Sequence, residues 1–199
     1  MISLTNAARP SLTRATRWQI DQDGWLPAAH RLDSPNFDTR PEGITPHLLV
    51  IHAISLPPDT FGTSHIDALF TNTLDPNADP YFATIQHLKV SAHFLIRRNG
   101  ELMQYVSTQQ RAWHAGISIW QGKERCNDFS IGIELEGCDS IPFEGLQYPI
   151  LVQLTRALWA RYPFEAIVGH EHVAPGRKTD PGPYFDWTRY RSLLNINSK

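Results

Sequence analysis

A run of strand length, HLLVI, occupies residues 47–51 and contains four consecutive aliphatic residues. It continues into HAIS, and Pro57 and Pro58 then stop it, because proline cannot donate to a strand ladder. The run therefore predicts a strand with His52 at its end. A second such run, FEAIV at residues 164–168, predicts another strand that Gly169 ends just before His170.

Two more segments have strand signals. Residues 92–98 and 101–106 flank Asn99 and Gly100, the pair that a two-residue type I′ turn requires, so they predict a β-hairpin. The segment SIGIELE at residues 130–136 alternates strictly and predicts a strand. One of its faces is aliphatic (Ile131, Ile133, Leu135), whereas the other carries a glycine and two carboxylates (Gly132, Glu134, Glu136).

Apolar residues at helical spacing predict helices over residues 149–162, 187–194 and, more briefly, 64–70. Pro149 is acceptable in the first turn of one helix, and Asp186 stands at the N-cap of another. Strands interleaved with helices predict an α/β fold, and the hairpin makes the sheet mixed. We expect a single domain with a mixed β-sheet flanked by α-helices.

Composition limits the classes of function. A length of 199 residues is typical of one domain with its own core. The formal charge of -2 gives no positive excess for binding nucleic acid, and no segment resembles a membrane span. The first 21 residues lack the apolar run of a signal peptide, so we expect a cytoplasmic protein. The two cysteines, Cys126 and Cys138, are expected to be reduced thiols. Residues 1–17 are polar and aperiodic, which predicts a flexible N-terminal arm before a domain at residues 18–199.

Two histidines and one aspartate are candidate metal ligands. His52 and His170 each follow an apolar strand directly, and Asp180 lies on a loop ten residues beyond His170. Imidazole and carboxylate suit Zn2+, and three protein ligands leave the fourth tetrahedral position open, as in catalytic sites. The competing interpretation of Asp180 is that Asp-Pro simply initiates a turn.

Glu134 and Lys178 are candidate catalytic residues. A zinc site that activates water needs a proton acceptor, and an anionic tetrahedral intermediate needs a positive partner. Lys178 is equally compatible with an ordinary solvated lysine. The remaining histidines that we considered have structural interpretations: an exposed loop for His172, surface or helix-end positions for His47, His65 and His87, and a packed or hydrogen-bonded ring for His93.

Five segments, in this order, resemble the zinc N-acetylmuramoyl-L-alanine amidases, in particular those of cytoplasmic peptidoglycan recycling. They are LLVIHAISLPPDTFG, SAHFLIRRNGELMQYV, RAWHAGIS, GKERCNDFSIGIELEG and GHEHVAPGRKTDPGP. The resemblance extends from about Gly24 to Arg191. It implies the fold that these amidases share with peptidoglycan recognition proteins, a mixed sheet flanked by helices.

The resemblance also implies roles at matching positions. It implies His52, His170 and Asp180 as zinc ligands, Glu134 as the catalytic glutamate and Lys178 as the catalytic lysine. Glu134 is preferred to Glu136 because it matches the family's position.

Substrate-binding residues follow from the same resemblance. Lys89 and Arg125 match basic residues that bind carboxylates of the stem peptide, and Trp113 and His114 are candidates for lining the cleft. Trp113 is about as compatible with the core, and Cys126 is expected to be a small buried residue. Lys89 stands where the family leads us to expect arginine, and Ala53 stands where we expect asparagine.

The implied activity is zinc-dependent hydrolysis of the amide bond between the lactyl group of 1,6-anhydro-N-acetylmuramic acid and the L-alanine of the stem peptide. The expected partner is this anhydro-muropeptide, and the expected state is a monomer. One alternative is an amidase that acts on intact cell-wall peptidoglycan. Another is a module that binds muropeptides without cleaving them, although such modules usually lack a zinc ligand.

Overall fold

We describe the protein from a computed structural model, which covers residues 17–195. Apart from Arg17, the predicted N-terminal arm lies outside the described residues. The predicted domain at residues 18–199 is described as far as Asn195.

One sheet of six strands is the centre of the described chain. Its strands, in spatial order, are β1 (His30–Arg31), β5 (Leu102–Gln104), β4 (Phe94–Ile96), β9 (Ser130–Glu136), β3 (Leu48–Ile54) and β10 (Ala166–Gly169). Only β4 and β5 pair antiparallel, and the other neighbours are parallel. The prediction of a mixed sheet is therefore confirmed.

The predicted hairpin is present as β4 and β5, but the prediction of a two-residue type I′ turn is wrong. The N–H of Gly100 donates to the carbonyl of Arg97, and the N–H of Arg97 donates to the carbonyl of Glu101. Gly100 has φ +85°, whereas Asn99 is not among the described residues with positive φ. The loop is thus one residue longer, with glycine at the left-handed position, and the Asn99 side chain accepts from the N–H of Glu101.

Two short antiparallel ribbons flank the sheet. β2 (Phe37–Thr39) pairs with β6 (Gln110–Ala112), and β7 (Ile119–Trp120) pairs with β8 (Lys123–Glu124). A 3₁₀ turn at Cys126–Asp128 leads into β9. Both cysteines are unpaired, and Cys126 is buried, as expected.

The three predicted helices are confirmed. They are α1 (His65–Phe70), α3 (Gln147–Trp159) and α5 (Trp187–Leu194), and the Asp186 side chain caps α5 by accepting from the N–H of Arg189. A fourth helix, α2 (Pro80–Ile85), was not predicted, although Asp79 at its N-cap and Pro80 at its first position are typical start signals. The one-turn helix α4 (His170–Val173) was not predicted either, so the prediction of a loop position for His172 is wrong.

The two faces of the sheet have different partners. The aliphatic face, with Leu49, Ile51 and Ile133, packs in one core cluster with residues of α3 and α5. A smaller cluster on the opposite face joins Leu48 and Val50 to Val173 of α4. His52 and Glu134 therefore stand on the face turned away from α3 and α5, because side chains alternate along a strand. No helix among residues 17–195 is long and apolar enough to cross a bilayer.

Candidate metal centre

The parallel pairing of β3 and β10 brings two histidines together. Gly169 is in register with Ile51, so His170, the next residue along, is adjacent to His52. Gly169 ends β10 and His170 begins α4, which turns the chain at the edge of the sheet. Both imidazoles are buried, and their ring centroids are 4.4 Å apart.

The loop after α4 returns Asp180 to the same place. The N–H of Glu171 donates to the carbonyl of Asp180 at 2.9 Å, which ties the loop to the first turn of α4. Gly169 permits this approach, because a Cβ at residue 169 would lie 2.7 Å from Cδ of Pro181. The Asp180 carboxylate is mostly buried, with 15% of its side chain exposed.

Three donor atoms form a nearly equilateral triangle. His52 Nδ1 lies 3.0 Å from His170 Nδ1 and 3.2 Å from Asp180 Oδ2, and His170 Nδ1 lies 3.1 Å from the same oxygen. These are the described residues that could hold a metal ion as a group of three.

Protonation at the triangle favours a cation. Burial lowers the pKa of His52 to about 4, so its ring is neutral near pH 7. Asp180 presents one carboxylate oxygen, Oδ2, which lies within 3.2 Å of Nδ1 of both imidazoles. His170 Nε2 lies 3.1 Å from the carbonyl of Ala115, which can only accept, so Nε2 carries the ring proton and Nδ1 presents a lone pair. The triangle therefore concentrates lone pairs and one negative charge.

The donor set fits zinc. Tetrahedral zinc with ligand bonds of about 2.0–2.1 Å separates its ligand atoms by about 3.3–3.4 Å, close to the spacing found here. Two imidazoles and one carboxylate match its preference, and the triangle borders a cleft of 370 Å³. An ion held by these three residues would keep a coordination position toward that cleft.

Glu134 lies next to this centre. It is the in-register neighbour of His52 on β9, and it lines the same cleft. Only 8% of Glu134 is exposed, and its Oε2 has no hydrogen-bond partner among the described residues. Burial raises the pKa of Glu134 well above its ordinary value, the Asp180 carboxylate raises it further, and the charge of Lys178 opposes both.

Lys178, Trp113 and His114 also line the cleft. Lys178 is exposed, whereas Trp113 is half-buried and donates from Nε1 to Asp38 at 3.2 Å. His114 is buried beside His52, and burial lowers its pKa well below the ordinary value. His93, which is not predicted to belong to the site, is fully buried and accepts from the N–H of Gly132, so the expected packed and hydrogen-bonded ring is confirmed.

The model of the N-acetylmuramoyl-L-alanine amidase family matches residues 42–183, which include all five of the predicted ligand and catalytic positions. The chain belongs to the N-acetylmuramoyl-L-alanine amidase family.

Relatives within this amidase family match nearly the whole chain. A 1,6-anhydro-N-acetylmuramyl-L-alanine amidase, AmpD, from Citrobacter freundii is 59% identical over 178 residues, which cover 88% of this chain and 95% of the relative. The crystal structure of a selenomethionine AmpD derivative matches with a TM-score of 0.85 and 59% identity, covering 87% of this chain and 98% of that one.

A more distant amidase structure contains a bound substrate. It is AmiD from Escherichia coli in complex with anhydro-N-acetylmuramic acid-L-Ala-D-gamma-Glu-L-Lys. AmiD is 34% identical with a TM-score of 0.56, and the match covers 80% of this chain and 62% of that one.

Two predicted substrate-binding residues are not among those that line the cleft beside the donor triangle. Lys89 is exposed, between two residues that line the cleft, Leu88 and Val90. The Arg125 side chain is 68% exposed, forms an ion pair with Asp128 at 3.1 Å, and lines a separate hollow of 560 Å³ with Arg177. Their contacts with substrate stay a prediction.

The residues that support the candidate metal centre from behind were not predicted from the sequence. Arg177 donates to the carbonyls of Ala115 and Ile117 at 2.6 and 2.7 Å, and Ser130 contacts His114. Ser130 is the first residue of a predicted strand, and no local pattern distinguishes it from any other strand serine. The contact of Ser130 with His114 forms only in the folded protein, where β9 lies beside β3.

Proposed function

We propose that this enzyme hydrolyses the amide bond between the lactyl group of 1,6-anhydro-N-acetylmuramic acid and the L-alanine of the stem peptide, in peptidoglycan recycling. One observation carries the proposal: three lone-pair donors lie within 3.2 Å of one another, in one cleft with a buried Glu134 oxygen that has no hydrogen-bond partner in the described part of the chain. The substrate class is supported by relatives named for this activity that are matched over 95% of their length.

In this proposal His52, His170 and Asp180 hold one zinc ion. Bound zinc would supply Lewis-acid chemistry, activating water as a nucleophile and polarising the lactyl carbonyl. The two imidazoles would contribute neutral donors and the aspartate a negative charge. Such a ligand set would leave the site with a net positive charge once the cation is bound.

Glu134 would accept the proton of the attacking water and pass it to the nitrogen of the leaving alanine. Its environment supports this role, because an oxygen without a partner is free to bind water, and general base catalysis contributes about 10²–10⁴-fold. A cation among the neighbouring ligands would oppose the burial that raises its pKa, so that the carboxylate form becomes accessible near neutral pH. Lys178 would face the oxyanion from the rim of the cleft, a contact that is typically worth about 3 kcal/mol.

Lys89 and Arg125 would bind carboxylates of the stem peptide. Lysine offers a single charged centre and gives up the bidentate pairing that arginine makes with a carboxylate. Trp113 would contact the sugar or the peptide, since it lines the cleft. We also propose that the enzyme is a cytoplasmic monomer, which cell fractionation and light scattering would test.

The experiment is digestion of purified anhydro-muropeptide and, separately, of intact sacculi, each with and without a chelator, followed by mass analysis. We expect free stem peptide and anhydro-N-acetylmuramic acid from the small substrate, loss of both products with chelator, and their return when zinc is added. Release of peptide from sacculi at an equal or greater rate would contradict the proposed substrate. Chelator-resistant cleavage would contradict the zinc mechanism.

A further inference from the structure

His114 stands directly behind the candidate zinc ligand His52. Its Nδ1 lies 2.9 Å from Nε2 of His52, the ring nitrogen that points away from the donor triangle. The two rings meet edge to face, with centroids 5.0 Å apart and an interplanar angle of 86°. The other nitrogen of His114, Nε2, lies 3.1 Å from the Ser130 hydroxyl.

The direction of each hydrogen bond between Ser130, His114 and His52 follows from the bond that the Ser130 hydroxyl makes to the protein backbone. The Ser130 hydroxyl donates its one proton to the carbonyl of Cys126 at 2.5 Å, so it must accept from Nε2–H of His114. Nδ1 of a His114 ring with one proton is then a lone pair, which accepts from Nε2–H of His52. Nδ1 of His52 is left bare and faces the donor triangle, as a metal ligand requires.

Packing fixes the position of the His114 ring independently of these bonds. A Cβ at Gly132 would lie 2.5 Å from Cγ of His114, so the ring occupies the space over β9 that glycine leaves open. The Asn127 side chain accepts from the backbone N–H groups of His114 and Ala115 at 3.2 and 2.8 Å. The glycine on the face of Glu134 and the turn before β9 both serve to place this ring.

The next residue supports the other histidine. The carbonyl of Ala115 accepts from Nε2 of His170, and the same carbonyl accepts from Arg177. Residues 114 and 115 thus contact the outward nitrogens of both histidine ligands. Since both ring nitrogens of His114 are engaged within the protein, neither is available to a substrate in this arrangement.

We propose that His114, anchored by Ser130, is a positioning residue that sets the tautomer and orientation of His52 for zinc. This inference rests on the zinc site of the proposed function and replaces the substrate-binding role predicted for His114 from the sequence. Partners of metal-binding histidines typically contribute about 10–100-fold to metal affinity.

Two substitutions at residue 114 separate positioning from packing. His114→Ala removes the acceptor for His52, whereas His114→Asn places an amide oxygen near the former position of Nδ1. Zinc affinity would be measured for each by competition with a chromophoric chelator. We expect a loss of about 10–100-fold for His114→Ala and recovery of most of that loss in His114→Asn.

A second variant and a spectroscopic measurement distinguish the loss of positioning from a general folding defect. Ser130→Ala leaves His114 in place but removes the acceptor of its Nε2–H, so we expect a smaller loss of zinc affinity. Long-range ¹H–¹⁵N NMR of histidine rings would report the tautomer of His52, with Nε2 protonated in the wild-type protein and a mixture of tautomers in Ser130→Ala. Circular dichroism would verify that each variant is folded.

The outcomes are distinct. If the wild-type protein does not bind zinc, the proposed function fails, and this inference fails with it. If the wild-type protein binds zinc and folded His114→Ala binds it within about twofold of the wild-type affinity while KM rises, His114 is a substrate contact and the inference alone is overturned.

Discussion

At the scale of single residues, Glu134 and Glu136 show how environment assigns different roles to identical side chains. They lie two residues apart on the same face of β9. Both oxygens of Glu136 are occupied, because they accept from the backbone N–H groups of Gly62 at 2.6 Å and Arg98 at 3.0 Å. Glu134 keeps an oxygen beside the donor triangle that has no partner among residues 17–195. An unpaired buried acceptor lowers stability by about 1–3 kcal/mol, so its presence calls for a functional explanation.

Glu134→Gln should retain zinc and lose about 10²–10⁴-fold in kcat, because an amide cannot accept a proton from water. Zinc content would be measured by atomic absorption and turnover with anhydro-muropeptide. Loss of zinc together with activity would show that Glu134 contributes to metal binding, and retention of a tenth of the activity would assign the proton transfer to another group.

Glu136→Gln is the matched control on the same face of the strand. The amide NH2 of glutamine would replace one of the two oxygens that accept from backbone N–H groups, so one buried N–H would lose its acceptor. This loss should lower the free energy of unfolding by about 1–3 kcal/mol. The folded fraction of this variant should still bind zinc and turn over substrate.

At the scale of elements, α5 depends on its cap and on one buried face. The Asp186 side chain accepts from the N–H of Arg189, and Tyr190 hydrogen-bonds to Thr155 of α3 at 2.6 Å. Asp186→Ala should lower the free energy of unfolding by about 1 kcal/mol, as measured by urea denaturation, because it removes the side-chain acceptor of the Arg189 N–H.

Asp186→Asn should cost less than Asp186→Ala, since asparagine also caps helices. Turnover should be unchanged in both variants, because α5 covers the face of the sheet opposite the cleft. Equal losses in the two variants would argue for a role of the charge rather than of the cap.

At the scale of the whole molecule, three buried histidines make stability depend on pH. Burial lowers the pKa of His52 to about 4 and that of His93 to about 3, and it lowers the pKa of His114 well below the ordinary 6.5. Below pH 6.5 the unfolded chain gains up to three protons that the folded chain does not bind. Glu134 acts in the opposite sense with one proton, because its raised pKa keeps it protonated in the folded state.

The unfolded state near pH 5 therefore holds about two more of these protons, so stability of the zinc-free protein should fall by about 2.7 kcal/mol per pH unit on acidification. Urea unfolding with chelator present, from about pH 7 to about pH 5, would measure the slope. His93→Asn should reduce the slope by about 1.4 kcal/mol per pH unit. Stability that stays level or rises toward pH 5 would contradict these protonation states.

Local sequence patterns were sufficient to predict much of the fold. The apolar run ending at His52, the alternation of SIGIELE and the periodicity of α3 each determine one element from short-range chemistry. Two histidines that directly follow apolar strands, with one aspartate on the following loop, gave His52, His170 and Asp180 as candidate ligands. The resemblance to the amidases implied the same three, and the fold brings their side chains together.

Other features depend on contacts between distant segments. The two-residue β7 and β8 are too short to have a period, and the Asn99-Gly100 pair is compatible with more than one turn. The support of His52 by His114 and Ser130 depends on β9 lying beside β3, and the glycine that admits the ring lies 18 residues from it in sequence. His52 lies 62 residues from His114 in the sequence, so no local pattern could predict their contact.

Crystals of the zinc-loaded protein, measured at the zinc absorption edge, would test the central claim most directly. We predict a single anomalous peak bonded to His52 Nδ1, His170 Nδ1 and Asp180 Oδ2, with its remaining coordination position toward Glu134. A peak bonded to other residues, or the absence of a peak at this triangle in protein that hydrolyses anhydro-muropeptide, would contradict the account.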